Sequence, residues 1–440
     1  MTGLKKKLNV YGLTMIAVGG CIGSGIFVTP YEIVRAVPHH FYIILVWLIG
    51  GLISLTGALT FAELGAMFPK SGGVYVFLKE AFGRRVGFLY GWVILLIINT
   101  GALAALGVAL AEYLTFFFPL GDTAKKLVAI SLIVGLTLFN VRGVRGSQVF
   151  ASLFTTLKLL AILGIIVVGF VFYQPEKVVL NFDAGTAVPD NLLSALLVAL
   201  IGVLWSFGGW HHASYVAGEA INAQKTVPRA MILGTLIVTA AYVLVNVAYM
   251  LLLPLSEISQ TAKVAGDAIG SVFAYGGKMV TLAISISILG TIGIYTMSAP
   301  RIYYAMAEDG IFFRQLAHIH PRFHTPANAM IAQAFWAVLL LLFWGTFENL
   351  ITYVTFMDIV FMCLAGMSLF VLRKKQPHRE RPYRVIGYPV IPGIFVAITL
   401  AFVGNTLLER PVQALAGIVI LASGLLAYWF FTRRYTHSAS

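Results

Sequence analysis

Cysteine is almost missing from this chain of 440 residues, with Cys21 and Cys363 the only two. Both sit inside long apolar stretches rather than in loops, which excludes a disulfide framework. Clusters of Cys and His with ligand spacing are missing as well. His39-His40 and His211-His212 are adjacent in the chain rather than one helical turn apart, so no metal site is expected, and no cofactor motif is found. Charge is scarce: Asp, Glu, Lys and Arg make up 11% of the residues and hydrophobic residues 59%. A soluble domain carries roughly 45–50% apolar residues, so water is excluded as the main solvent of this surface. Acidic residues are scarcest of all, 17 against 30 basic ones, which leaves a net charge of +13.

What the chain does have is apolar runs, recurring from Val10 to Phe431. A helix needs about 20 mainly apolar residues to cross the hydrocarbon core. Twelve spans are predicted, at 10-36, 41-67, 86-118, 127-141, 147-173, 192-221, 229-253, 272-306, 329-346, 350-372, 388-407 and 412-432, giving an all-α membrane protein. The run at 127-141 is the shortest. Lys5, Lys6 and Lys7 precede the first span, but no small-residue cleavage site follows, so that span is expected to stay in the mature chain.

A net charge of +13 raises the possibility of nucleic acid as a partner, and the positions of the basic residues test it. Alternate loops and tails on one side carry 22 of the 30 Lys and Arg. The other side carries only Arg35, Lys125, Lys126, Lys177, Lys263, Lys278 and Arg410, and the remaining one, Lys158, lies within a span. Such segregation is the positive-inside pattern of a membrane protein and predicts both tails, 1-9 and 433-440, in the cytoplasm. The charge belongs to the bilayer, and no nucleic-acid partner is expected.

Two spans are rich in glycine near their middles: Gly19, Gly20, Gly23 and Gly25 in the first, Gly202, Gly208 and Gly209 in the sixth. Interruptions at corresponding places in two halves of a hydrophobic chain point to an inverted repeat with its binding site at the breaks. Residues 10-173 and 192-372 would then be the two repeats, with 388-432 appended. Unwound backbone survives at membrane depth only around a polar cavity. A zwitterionic amino acid suits such a cavity, its carboxylate at half-helix N-termini and its ammonium group at freed carbonyls. The plainer alternative is that these small residues let two intact helices pack closely. Two glycines between aromatics in Phe207-Gly208-Gly209-Trp210 suit a break better than a smooth packing face.

The stretch Val18-Gly19-Gly20-Cys21-Ile22-Gly23-Ser24-Gly25-Ile26-Phe27-Val28-Thr29-Pro30 closely resembles the amino acid/polyamine/organocation transporter superfamily in its L-amino-acid-transporter branch, and within it a prokaryotic member of serine/threonine-exchanger type. The likeness continues through Phe61-Ala62-Glu63-Leu64, Pro69-Lys70-Ser71-Gly72-Gly73, Phe207-Gly208-Gly209-Trp210, Pro300-Arg301 and Ala305-Met306-Ala307. It implies a LeuT-like fold with broken first and sixth helices, and exchange of amino acids across the cell membrane. Carried over, it makes Gly23 part of the substrate site and puts the substrate carboxylate at backbone N–H groups around Ser24 and Gly25, with the Ser24 hydroxyl as an extra donor. It puts the ammonium group at carbonyls near Gly20, Cys21, Trp205, Ser206 and Gly208. Trp205 takes the position of an aromatic gate; without the resemblance, a core or interfacial tryptophan reads equally well.

Lys158 lies about ten residues, roughly 15 Å of rise, inside a span with no other charge. A lysine at a helix centre costs about 2.5–3.5 kcal/mol to insert and generally marks a functional site, the alternative being one that snorkels to the surface. The resemblance implies that it replaces a sodium ion beside the first break, hence sodium independence. A buried lysine can also carry a proton, and both roles fit. Tyr242 is a candidate hydroxyl near the cytoplasmic side of the site, and Asn99 to Ala102 would lie beside the substrate side chain. The loop from Pro119 to Lys126 lacks the cysteine through which eukaryotic members of the branch bind a glycoprotein, so no disulfide-linked heavy chain is expected.

Glu63, Glu112 and Asp358 sit on separate spans without a catalytic partner, which argues against an intramembrane enzyme. A proton-coupled symporter differs from an exchanger only in whether the empty carrier reorients, and a transport-inactive sensor would keep the same binding motifs. Polyamines fit poorly, since the breaks offer Lys158 and no evident carboxylate. The expected function is sodium-independent exchange of small neutral L-amino acids by alternating access, the bulk of Trp205 limiting substrate size.

Overall fold

The computed structural model describes residues 4–183, 191–343, 347–409 and 411–436. Among them the chain is helical, with no strand and one isolated backbone bridge, Leu8 to Ala220. In chain order the main helices are α1 (Val10–Cys21), α2 (Gly25–Ala36), α3 (His40–Met67), α4 (Val74–Phe82) and α5 (Arg84–Leu114). They continue as α6 (Asp122–Val141), α7 (Val144–Val171), α8 (Leu192–Ser206), α9 (Ala223–Leu252) and α10 (Gly276–Glu308). The last four are α11 (Ala327–Phe343), α12 (Phe347–Lys375), α13 (Val390–Glu409) and α14 (Pro411–Thr436). Among the described residues, eight helices are long and apolar enough to cross a membrane. The pair α1 and α2, bent by 44° at its break, makes a ninth. Shorter apolar helices lie at Leu192–Ser206, Ala327–Phe343 and Gly417–Arg433.

Local chemistry sets several of these boundaries. The Asn9 side chain caps α1 by accepting from the Gly12 N–H at 2.9 Å. The span expected at 127-141 is longer than its apolar run, because the helix begins at Asp122 and Lys125 is held by Glu112 at 2.7 Å. The span expected at 192-221 is not one helix. It stops at Ser206, and after a turn through Gly208 and Gly209 only the single helical turn His212–Tyr215 and a 3-10 turn at Ala217–Glu219 follow. Apolar Phe207 and Trp210 inside that turn keep the hydropathy high where the helix has ended. Partway along α5, Ile94–Ile98 forms a π-helical turn, with the Thr100 hydroxyl donating to Leu95 O at 2.7 Å.

The apolar pattern of the outer helices is the reverse of a soluble protein's. On α7, Leu153, Leu157, Leu160, Leu163 and Val167 are exposed, while Ser147, Ala151, Thr155, Lys158, Ile162, Ile165 and Gly169 are buried. Both rows advance by three or four residues, so one face meets lipid and the other meets protein. A second concentration of polar contacts gathers where α3, α10 and α12 end. Glu219 and Arg301, both fully buried, join through two bonds of 2.9 Å. Glu63 accepts from Arg373 at 2.7 and 3.0 Å and from the Val385 N–H at 2.7 Å, and Lys79 meets Asp309 at 2.7 Å.

Candidate functional site: two helix breaks around a cavity

Between Cys21 and Gly25 the chain leaves one helix and begins another, freeing carbonyls at the end of α1 and N–H groups at the start of α2. Ser24 precedes α2 without a side-chain cap bond, and its hydroxyl makes no hydrogen bond among the described residues. The freed carbonyls are claimed by side chains from three other helices. Lys158 Nζ, on the buried face of α7, donates to Gly19 O at 2.8 Å, to Ile22 O at 2.6 Å and to Thr291 Oγ1 at 2.8 Å. Thr291 Oγ1 itself lies 3.1 Å from the same two carbonyls, and Ser287 Oγ lies 3.2 Å from Ile22 O and 3.1 Å from Gly23 O. Lys158 is 1% exposed, so it does not snorkel.

The second break lies against the first. Gly209 holds φ +122°, a conformation that an L side chain strains to adopt. A Cβ placed there would come within 2.4 Å of the Gly20 carbonyl carbon, and one on Gly20 within 2.8 Å of Gly209 O. The glycines are therefore required where backbone crosses backbone. Tyr242 on α9 ties the breaks together, its hydroxyl reaching Cys21 O at 3.1 Å and Ser206 O at 2.9 Å, and Cys21 Sγ lies 3.3 Å from Phe207 O. Ser206 Oγ meets Thr29 Oγ1 at 3.2 Å.

A cavity with about 930 Å³ of empty space, part of it open to solvent, lies beside the breaks. The residues expected at the substrate's backbone groups line it: Gly20, Cys21, Gly23, Ser24, Gly25, Trp205, Ser206 and Gly208. Of the stretch expected beside the substrate side chain, Asn99 and Ala102 line it and Thr100 and Gly101 do not, while Lys158 and Tyr242 stand behind it and act on the backbone that does. Further lining comes from the π-helical turn of α5 (Ile94, Ile98) and from His211, His212, Tyr215, Thr291, Tyr295 and Asp358. Asp358 corrects the expectation that no carboxylate lies near the breaks. Ser287 and Thr291 escaped the sequence reading, although two hydroxyls four residues apart on an apolar helix face are a visible signal. Asp358 and His211 carried no such signal, since their proximity depends on how α12 packs.

The arrangement offers N–H groups at the start of α2, partly satisfied carbonyls and a buried ammonium group beside a cavity, groups that can bind a small zwitterion. The amino acid permease family model matches residues 8–431. The chain is similar to the serine/threonine exchanger SteT of Bacillus subtilis, 31% identical over 98% of this chain and 98% of that one. It is similar to the large neutral amino acids transporter small subunit 2 of Oryctolagus cuniculus, 31% identical over 97% of this chain and 80% of that protein. It is also similar to the human cystine/glutamate transporter, 31% identical over 97% and 85%.

Proposed function

The chain belongs to the amino acid permease family of multi-pass membrane transporters, in the amino acid/polyamine/organocation superfamily, and from that premise we propose that it is a sodium-independent exchanger of small neutral L-amino acids working by alternating access. The observation that carries the reading is Lys158: its ammonium group sits on Gly19 O and Ile22 O, where a free cation would otherwise be needed to hold the unwound backbone. Exchange draws support from the relative whose name makes it a serine/threonine exchanger.

In this reading the carboxylate docks at the N–H groups of Ser24 and Gly25, the Gly23 N–H being taken by Cys21 O at 2.9 Å, and the ammonium group at carbonyls of Gly20, Cys21, Trp205, Ser206 and Gly208. Trp205 closes over the substrate and limits its size. Residues 10-173 and 192-372 act as inverted repeats, and the reading of twelve spans is supported by nine long span candidates and three shorter apolar helices among the described residues. The protein sits in the cell membrane with both tails in the cytoplasm, a reading that the distribution of basic residues supports. It works without a disulfide-linked partner, its two cysteines both being buried and free.

The test is uptake of labelled L-alanine or L-serine into sodium-free proteoliposomes, with and without unlabelled amino acid inside. Uptake that needs internal amino acid is the expected result. Uptake into empty vesicles driven by an imposed proton gradient would replace the exchanger with a symporter, and binding without uptake would replace it with a sensor.

A further inference from the structure

At the ion-paired end the chain leaves basic residues that its own acids do not take. Arg84 and Arg85 are exposed at the start of α5 and Lys374 at the end of α12, and none of these makes an ion pair among the described residues. Glu63, Glu219 and Asp309 are already engaged, by Arg373, Arg301 and Lys79. Lys375 Nζ donates to Ala81 O at 2.9 Å, which sets the end of α12 beside the turn that starts α5. Aromatic rings adjoin the charges. The end of α14 packs on α5 through Phe88 and Tyr428, with ring centroids 5.3 Å apart, and through Trp92 Nε1, which donates to Ser423 Oγ at 3.1 Å. Arg85 lies 5.9 Å from the Tyr428 ring, and Arg433 lies 3.8 Å over the Trp429 ring. Trp429 and Phe430 are about half exposed, and the exposed side of α14 continues away from the charges through Leu425 and Leu426.

A pair of guanidinium groups beside an aromatic rim, continued by a bare aliphatic strip, sets two chemistries end to end: an anion at the rim and hydrocarbon along the strip. A free anion would use only the first and a neutral lipid mainly the second. We propose that the edge between α5 and α14 holds an anionic phospholipid, its phosphate on Arg84 and Arg85 and its acyl chains along Leu425, Leu426 and Phe430. The planar guanidinium fork matches phosphate geometry, and basic clusters at the end of a membrane span draw anionic headgroups. The place also gives the lipid a route to the transport cycle. From Arg85 the helix rises roughly 14 Å to the π-helical turn that begins at Ile94, and Ile94 and Ile98 line the cavity at the breaks. A headgroup that fixes the start of α5 therefore bears on a wall of the cavity, whichever solute that cavity holds.

The experiment titrates the purified full-length protein, in neutral detergent, with phosphatidylglycerol and with phosphatidylcholine of the same acyl chains, and reads thermal stabilisation. Phosphatidylglycerol is expected to reach half its effect at a concentration roughly tenfold or more below that of phosphatidylcholine, with the gap narrowing in high salt. Arg84→Gln combined with Arg85→Gln should bring that ratio close to one, while an unchanged response to phosphatidylcholine reports that the variant is folded. Lys225→Gln combined with Arg229→Gln, exposed at the start of α9, should keep the wild-type ratio. A ratio of one in the wild type would overturn the site, and that comparison needs no variant. An equal loss in both double variants would overturn it in favour of overall charge, and the same stabilisation by inorganic phosphate alone would overturn it in favour of a free anion.

Discussion

Glu219 and Lys158 are equally hidden from solvent, but the chain treats their charges differently. At the ion-paired end Glu219 meets Arg301 through two bonds of 2.9 Å, and Glu63 gathers Arg373 and the Val385 N–H. At the breaks Lys158 has no acidic partner among the described residues and rests on two carbonyls and a hydroxyl. A buried acid–base pair holds one geometry, since removing either member strands the other at a cost of about 3–5 kcal/mol. Bonds to neutral carbonyls are individually weaker and can be traded for a ligand's own groups. The difference separates a fastener from a site that has to let go.

The comparison is broken most severely by Glu219→Ala, which leaves a fully buried guanidinium with only Met297 O to donate to. The expected loss is about 3–5 kcal/mol of stability, read as a large fall in melting temperature in detergent without any amino acid. An unchanged melting temperature would remove the ion-paired end from the fold's support. Tyr242→Phe sharpens the contrast from the other side. It takes the shared hydroxyl from Cys21 O and Ser206 O, at about 1–3 kcal/mol for carbonyls left unsatisfied. Exchange in proteoliposomes should fall roughly tenfold or more, and full exchange by the folded variant would deny that the hydroxyl couples the breaks. Lys79→Ala should do least. Its side chain is 20% exposed, and the Tyr75 hydroxyl still reaches Asp309, so less than about 1 kcal/mol is expected, shrinking further in high salt. A shift as large as that of Glu219→Ala would mean that exposure does not decide what a pair contributes here.

Much of this is legible in the sequence because it is local. Lys158 stands out as a lone charge on a helix whose small and apolar residues recur every three or four positions, and that period points it inward. The glycine pairs announce the breaks for the same reason. Helix ends are less legible where the turn is itself apolar, which is why 192-221 reads as one span although its helix stops at Ser206. Least legible is whatever depends on which spans meet. Asp358 reads as a solitary carboxylate, since His211 lies far away in the chain and nothing in the local pattern of α12 brings them together. Glu63 reads in the same way, yet its partner Arg373 arrives from the far end of α12.

The lysine ammonium seated on Gly19 O and Ile22 O is covalently part of the chain, and so has no concentration on either side of a membrane. In the role proposed for it, the carrier can draw no work from an ion gradient through that position. What moves, and in which direction, is then set by the ratio of amino acid pools across the bilayer, and the protein brings those ratios toward balance rather than building a gradient of its own.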